Sequence, residues 1–514
     1  MLPTPHVELS ETPVGFRAGA GLVLCELEAA RLKESTNRVE VLAEKHQRTM
    51  RLVEILAAWP RNVSVELHLI SRPSLDPHQA GKVDVALRLN ALEREPNKAI
   101  EACLFRYVAL RTLLNGYWTE AYFRPIQTEE EMRSMFRPFR STSAFFVGRR
   151  RAEIVLSEPY RWSSRPLGFQ TPSQPPPVAA NNAVVQVFPW VAPRDDWGFL
   201  LRSLLNFPAP HWIVVRLSRG SGDGTLELLR HNVRTCEEFL AAGQRDQLTL
   251  TVQVDALRRL SADRLQKLTA RAVRLVVLIS AAGEADESVA RVLGQSISAN
   301  TVQADSGPTF AGGSALASVD PRAVWDPFFF PDDEPYGVDE AACAFRLPAV
   351  FLRDQDSGLP VRWSSTGRTI LPPAGGPATV IATNLHRDVA CPLRVPLEHR
   401  FKHTYITGMT GTGKSTFMLN LLLQDLQQGH GLCLIDPHGE LADELLSRFP
   451  KNRERDLVLI DFADRSRIVP LNFLHWSTEE ERDIILDDLY RTLDRVYDFH
   501  QTGGPILKTT SEAC

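Results

Sequence analysis

Hydrophobic and polar positions alternate along the chain in ways that set its elements before any single residue is considered. Residues 26–58 place apolar side chains at helical spacing with charges between them, which predicts one long or two short amphipathic helices. Val63, Val65, Leu67 and Leu69 then alternate with polar residues, the pattern of a half-buried strand, and VDVALRLNAL (83–92) repeats it. A helix is expected at about 97–115 with Gly116 as its C-cap. After a strand-like NAVVQVFPW, the pattern predicts a helix at 196–206, a strand at 211–219 and a helical stretch at 223–243. It continues with a strand at 247–255 (QLTLTVQVD), a helix at 257–270 and an apolar strand at 273–280. This order loosely echoes the first block, with too little identity to count as a repeat.

Breaker residues divide the chain. Residues 164–182 are rich in proline and serine, and the run Pro175, Pro176, Pro177 excludes helix and favours extended polyproline structure. A second breaker-rich connection covers 300–335, and a short helix, VDEAACAFRL, is closed by Pro348. Residues 360–400 alternate short β-like runs with turns, and from about 401 the pattern becomes regular α/β. The expected organisation is therefore an N-terminal α/β domain (1–163), a Pro-rich linker (164–182), a second α/β domain (183–300), a linker with a β-rich collar (301–390), and a final α/β domain (391–514). The fold class is α/β, with α+β accessory domains ahead of the last one.

Composition narrows the classes. With 44% hydrophobic and 23% charged residues over 514 positions, disordered, collagenous and coiled-coil readings of the whole chain fail. A net charge of −4 argues against a basic nucleic-acid-coating protein and leaves room for a localised basic channel. The best basic cluster is Arg149-Arg150-Arg151 with Arg161 and Arg165 nearby, which reads first as a solvated turn. Residues 401–514 hold 12 lysines and arginines against 18 acidic residues, a net of −6, so charge offers no nucleic-acid stripe there. The seven cysteines form no CxxC pair and are odd in number, which suits free thiols in a reducing cytoplasm. No metal-ligand spacing appears, the N-terminus lacks the basic and apolar regions of a signal peptide, and no apolar run approaches the ~18–20 residues of a membrane helix. The chain reads as soluble and cytoplasmic.

One motif carries chemistry. In HTYITGMTGTGKST, Gly408-x4-Gly413-Lys414-Ser415 matches the P-loop signature, preceded by an apolar strand-like run, Thr404 to Thr407, and followed by a helical pattern with Phe417, Leu421, Leu422 and Leu426 on one face. Gly408, Gly411 and Gly413 permit a tight loop, and backbone amides from Thr410 through Thr412 to Ser415 then face phosphate oxygens at a helix N-terminus. Lys414 is placed for the β- and γ-phosphates of ATP, the Ser415 hydroxyl for Mg²⁺, and Thr416 for the α-phosphate. The next expected strand, Leu432–Ile435, ends in Asp436, a candidate for contact with Mg²⁺ or an attacking water, and equally a cap for the following turn. His438 and Glu440 follow at the start of a helix at 440–448, a third strand, LVLIDF (457–462), ends in Asp461, and a helix with a charged face is expected at 478–496.

HTYITGMTGTGKST, GLCLIDPHGELADELLSRFP, RDLVLIDFAD and PLNFL together resemble the HerA/FtsK group of P-loop ATPases, closest to HerA-like and conjugative-transfer (TraG/TraD-like, type IV secretion) ATP-binding proteins, over roughly residues 335–505. The resemblance implies a RecA-like parallel sheet, a homo-hexameric ring with ATP at subunit interfaces, and DNA moved through its pore, with a nuclease or secretion channel as partner. Gly408, Gly413, Lys414 and Ser415 match the Walker A positions, and Asp436 and His438 match the IDPHG segment. The family also has a Walker B strand ending in Asp-Glu and an arginine finger. No counterpart occurs before Cys514, so the chain reads as C-terminally truncated, with hydrolysis expected to be slow. The leading function is an ATP-driven DNA-translocating or DNA-transfer motor, or a fragment of one. The alternatives are a nucleotide-binding regulatory or assembly module without motor activity, and a P-loop kinase, for which no substrate lid is evident.

Overall fold

A computed structural model describes residues 4–497 apart from 31–36, 75–79, 158–160, 168–182, 193–196, 243–247, 300, 304–308, 312, 331–333, 352–356, 363–377, 387–388, 465, 467–471 and 473. Two units divide the chain, Met1–Gly367 and Arg368–Cys514. The first opens with β1 (Val7–Thr12), β2 (Gly15–Glu28), α1 (Arg38–Ala57), β3 (Val63–Arg72), β4 (Lys82–Glu93), α2 (Pro96–Tyr117), β5 (Ala121–Pro125) and α3 (Glu129–Phe136). It continues with β6 (Ala144–Arg149), β7 (Arg151–Ser157), β8 (Arg161–Leu167), β9 (Ala183–Val187), α4 (Gly198–Asn206), β10 (His211–Arg219), α5 (Asp223–Ala241), α6 (Leu248–Ala270), β11 (Val273–Ala281) and α7 (Glu287–Ile297). It ends with β12 (Thr301–Gln303), β13 (Thr309–Ala311), β14 (Ser314–Val319), α8 (Val338–Ala344) and β15 (Val361–Arg362).

The class is α/β, and the dominant feature is a ten-stranded sheet in the order β1-β2-β4-β3-β10-β11-β6-β14, with β5 and β15 also paired to β2. Its pairings are antiparallel except that of β15 with β2. β10 and β11 enter this sheet beside β3, so strands from 183–300 and from 1–163 share one core. On one face, Val63, Val65, Leu67 and Leu69 of β3 and Ile213, Val215 and Leu217 of β10 pack with buried residues of α1, α2, α4, α7 and α8. On the other, Ile70, Trp212, Val214, Val276 and Leu278 pack with Ala323, Val324 and Phe330.

Several expectations change here. β3 is buried on both faces rather than half-buried, because Ser64, Glu66 and His68 sit inside a polar network and not in solvent. Residues 26–28 belong to β2, and α1 starts only after Asn37, whose side chain accepts from the Glu40 amide and caps the helix. α2 runs past Gly116 and is capped at Trp118, so Gly116 is an internal helical residue. The stretch 247–255, expected as a strand, is helical from Leu248 onward in α6. Val254, Leu257 and Leu260 bury against α5, β7 and β9 at helical spacing, and that packing overrides the local alternation. Of the Pro-rich stretch, 164–167 lies in β8 and 168–182 lies outside the described residues.

The arginine run is not a solvated turn. Arg149 donates to both Glu340 carboxylate oxygens at 3.0 Å and to the Pro335 carbonyl at 3.0 Å, and its guanidinium lies 3.7 Å from the Tyr336 ring centre. Arg151 and Arg264 pair with Glu334 at 2.8 and 2.6 Å. Burial by itself would raise the Glu334 pKa, but Arg264 and then Arg151 override it and hold the carboxyl down to about 2.

A second buried network crosses β10, β3 and β4. Arg216 donates to Glu66 at 2.7 Å, Asn90 donates to its other oxygen at 3.0 Å, and His68 Nδ1 accepts from the Trp212 indole at 3.0 Å. Burial keeps His68 below its usual pKa, so it is neutral in the fold, whereas an unfolded histidine takes up a proton near pH 6.5. Burial would raise the Glu66 pKa, but Arg216 outweighs it and holds the carboxylate far below the ordinary range. Both groups bind protons more readily when unfolded, so stability is present at pH 7, declines as pH falls through about 6.5, and declines again below about 4.5. The urea midpoint of the first unit, which holds eight of the nine tryptophans, is expected to fall from pH 7 to pH 5.5. A midpoint flat across that interval would show that His68 is not buried neutral.

The second unit contains β16 (Ala378–His386), β17 (Val389–Pro396), α9 (Leu397–Arg400), α10 (Lys414–Gln427), α11 (Glu440–Ser447) and α12 (Glu479–Tyr497). β16 and β17 form an antiparallel hairpin with an irregularity between Val380 and Ala382. Gln424 of α10 clips it there, its amide accepting from the Val380 N–H and donating to the Val380 carbonyl, both at 2.9 Å. Leu419, Leu426 and Leu445 form the small core, with Leu432 and Leu434 packed on it. The segments 404–407, 432–435 and 457–462, expected as strands, join no ladder among the described residues. Only 432–435 keeps a strand-like alternation, with Leu432 and Leu434 turned inward and Ile435 outward. Ile435, Tyr405, Val458 and Phe462 are each more than three-quarters exposed, and all of 457–462 is exposed. Extended chain needs a neighbour for its backbone groups before it counts as sheet, and side-chain alternation alone does not supply one.

Candidate functional site

Residues 408–413 bend between the extended 404–407 segment and α10. Gly411 and Gly413 have φ of +82° and +87°, the left-handed region in which a side chain is strained. A Cβ at Gly408 would stand 2.5 Å from Thr412 Oγ1, so that hydroxyl would have to give up its present place. That hydroxyl donates to the Met409 carbonyl at 2.7 Å, and the Phe417 amide donates to the Gly413 carbonyl at 2.9 Å as the helix starts. Lys414 is half-buried, its Nζ donating to the carbonyls of Gly408 and Met409 at 2.8 and 2.9 Å. Thr410, Ser415 and Thr416 are exposed around it. The structure thus brings Gly408, Thr410, Gly411, Thr412, Gly413, Lys414, Ser415 and Thr416 into one loop-and-helix turn.

The N-termini of α10 and α11 are finished differently. α10 has no side-chain cap and no acidic residue in its first turn, so its leading amides and its partial positive charge are left for an anion. α11 is closed by Asp436, whose Oδ1 accepts from the His438 amide at 3.1 Å and whose Oδ2 accepts from the amides of Leu441 and Ala442 at 2.9 and 3.1 Å. The Ala442 bond is the largest influence holding the Asp436 carboxyl below its ordinary pKa, with His438, Gly439 and Leu441 adding to it. The capping arrangement is therefore present, with Asp436 supporting the turn that carries His438 and Glu440. The uncapped amides, the lysine ammonium and the Ser415 hydroxyl suit a nucleoside triphosphate with Mg²⁺. Among the described residues no cluster of His, Cys, Asp and Glu is placed to hold a metal ion without such a ligand.

Residues 387–502 match the family model of the central domain of the helicase HerA. The HerA match lies within the second unit and takes in the P-loop, α10, α11 and the Asp436 turn. It supports a HerA-type P-loop ATPase family for this segment, with nucleotide use and ATP hydrolysis as the general kind of reaction. No curated protein matches the chain. Among the described residues no helix is long and apolar enough to cross a membrane.

Proposed function

We propose that the second unit is the nucleotide-binding core of an ATP-driven motor of the HerA/FtsK type, acting on DNA as a translocase or in conjugative or type IV transfer. The observation that carries the reading is the uncapped N-terminus of α10 behind a loop whose lysine is already folded over it, inside the segment matched to HerA. In this reading the amides from Thr410 to Ser415 line the phosphates, Lys414 exchanges the Gly408 and Met409 carbonyls for β- and γ-phosphate oxygens, and Thr416 reaches the α-phosphate. Ser415 would be the protein ligand for Mg²⁺, which would supply positive charge to offset the charge of the phosphates. Asp436 holds its turn through three amides and keeps one lone pair on Oδ1 for a water near the phosphates. The working assembly is a homo-hexamer around DNA, with a nuclease or a secretion channel as its partner, in the cytoplasm.

Phosphate release by the purified chain, measured with and without duplex DNA, tests this. Slow turnover that rises with DNA and disappears in Lys414→Ala is the expected result. Nucleotide binding with no DNA response would favour a regulatory or assembly module, and absence of nucleotide binding would overturn both.

A further inference from the structure

The face of the ten-stranded sheet that carries Glu66 holds a charged row running toward the sheet edge. Arg216 on β10, Glu66 on β3 and Arg88 on β4 stand opposite one another across the strands. β2 puts Gly21 opposite Arg88, and beside it Gly19 has no side chain, so the Arg88 guanidinium crosses over β2. Its Nε and one terminal nitrogen pass 3.0 Å from where a Gly19 Cβ would stand. Beyond β2 the guanidinium reaches Glu8 on β1, at 2.5 Å. The other Glu8 oxygen lies 3.3 Å from Arg137, just past α3. Arg17 of β2 donates to the Ser10 hydroxyl at 3.0 Å. Glu66 is engaged by Arg216 and Asn90, so Arg88 and Arg137 share the Glu8 carboxylate. Arg17, two positions from Gly19 on the same face of β2, stands beside them with no ion pair of its own to Glu8 among the described residues.

Like charges held together in partly desolvated surroundings repel, and an anion with several acceptor oxygens relieves that repulsion. Burial, and after it the nearness of Arg88, holds the Arg17 guanidinium below its usual pKa. Arg88 is 4% exposed, and its Nε has no hydrogen-bond partner among the described residues. The side chains of Glu8 and Arg137 are open to solvent, at 29% and 49%. We propose that Arg17, Arg88 and Arg137 form an oxyanion site for a phosphate group, with the Glu8 carboxylate as the competing group that a phosphate displaces. Guanidinium forks match phosphate oxygens in pairs, and the site lies in the first unit, independent of the P-loop. The phosphate is either a free ion or a phosphodiester of a nucleic-acid backbone.

The test uses the full chain carrying Lys414→Ala, so that the P-loop lysine does not contribute. Inorganic phosphate is titrated by calorimetry, and a short fluorescein-labelled DNA duplex by anisotropy. Arg17→Gln with Arg137→Gln, both partly exposed and compatible with folding, is expected to weaken binding about tenfold or more. Glu8→Gln is expected to tighten it. Arg133→Gln, on the exposed side of α3 and paired with Glu129, is expected to leave it unchanged. A response to phosphate alone identifies a free-ion site, and a response of the duplex identifies a nucleic-acid backbone site. Binding of both probes that is indifferent to the double substitution, or weakened equally by Arg133→Gln, overturns the proposal.

Discussion

Lys414→Ala is expected to weaken binding of a fluorescent ATP analogue about 10- to 100-fold while leaving the far-ultraviolet circular dichroism unchanged. The magnitude follows from one charge-assisted contact, about 1.5–3 kcal/mol net when the partner is charged. Folding is spared because the bonds Lys414 makes without nucleotide stay within its own loop, to Gly408 and Met409. Lys414→Arg is expected to fail almost as badly, since the loop carbonyls enclose a compact ammonium and a planar guanidinium cannot take the same place. Unchanged affinity in Lys414→Ala would remove the P-loop from the mechanism. Gly413→Val should produce the same loss by another route, because φ of +87° is closed to a β-branched side chain.

Arg149→Leu is expected to be the most damaging single change in the first unit. Its guanidinium is 1% exposed and its loss leaves Glu340, 3% exposed, without its cation. Breaking one side of a buried pair costs about 3–5 kcal/mol, since the surviving charge stays out of water. For a unit of this size that corresponds to a fall in melting temperature of roughly 4–7 °C, from an unfolding entropy of about 2 cal/mol/K per residue. Glu340 keeps the amides of Gly337 at 2.8 Å and Trp190 at 3.3 Å, so part of the cost is offset when the partner is gone. The double variant Arg149→Leu/Glu340→Leu should recover part of the loss, because no isolated charge remains buried. Calorimetry that found the single variant as stable as the parent would mean the pair is not buried as described. Arg150→Gln, at the exposed position between the two buried arginines, should cost little.

The difference between these arginines was not legible in the sequence. Arg149, Arg150 and Arg151 look alike in a row, and only the approach of residues 334–340 from 185 to 191 positions away tells which of them is buried. Conversely, Arg17, Arg88 and Arg137 attract no notice singly and become a cluster only because β1, β2 and β4 lie side by side. The P-loop is the opposite case. Its conformation rests on glycine φ values and on hydrogen bonds spanning at most six residues, so local sequence fixes it almost completely. The alternative weighed for Asp436, capping of the next turn, could also be drawn from local spacing, and its bonds reach only to Ala442.

By itself the sequence determined the phosphate loop, its following helix, and most of the elements whose signal is periodic and local, such as β10 at 211–219 and α10 from Lys414. Those outcomes depend on backbone preference and side-chain period over a few residues. The tertiary structure alone decided that β10 and β11 insert beside β3, that 248–255 is helix, and that the polar side of β3 is buried under an ion-pair network. Each of these turns on which distant segment supplies the partner, and a pattern of period two or 3.6 states which face is apolar without stating what will cover it.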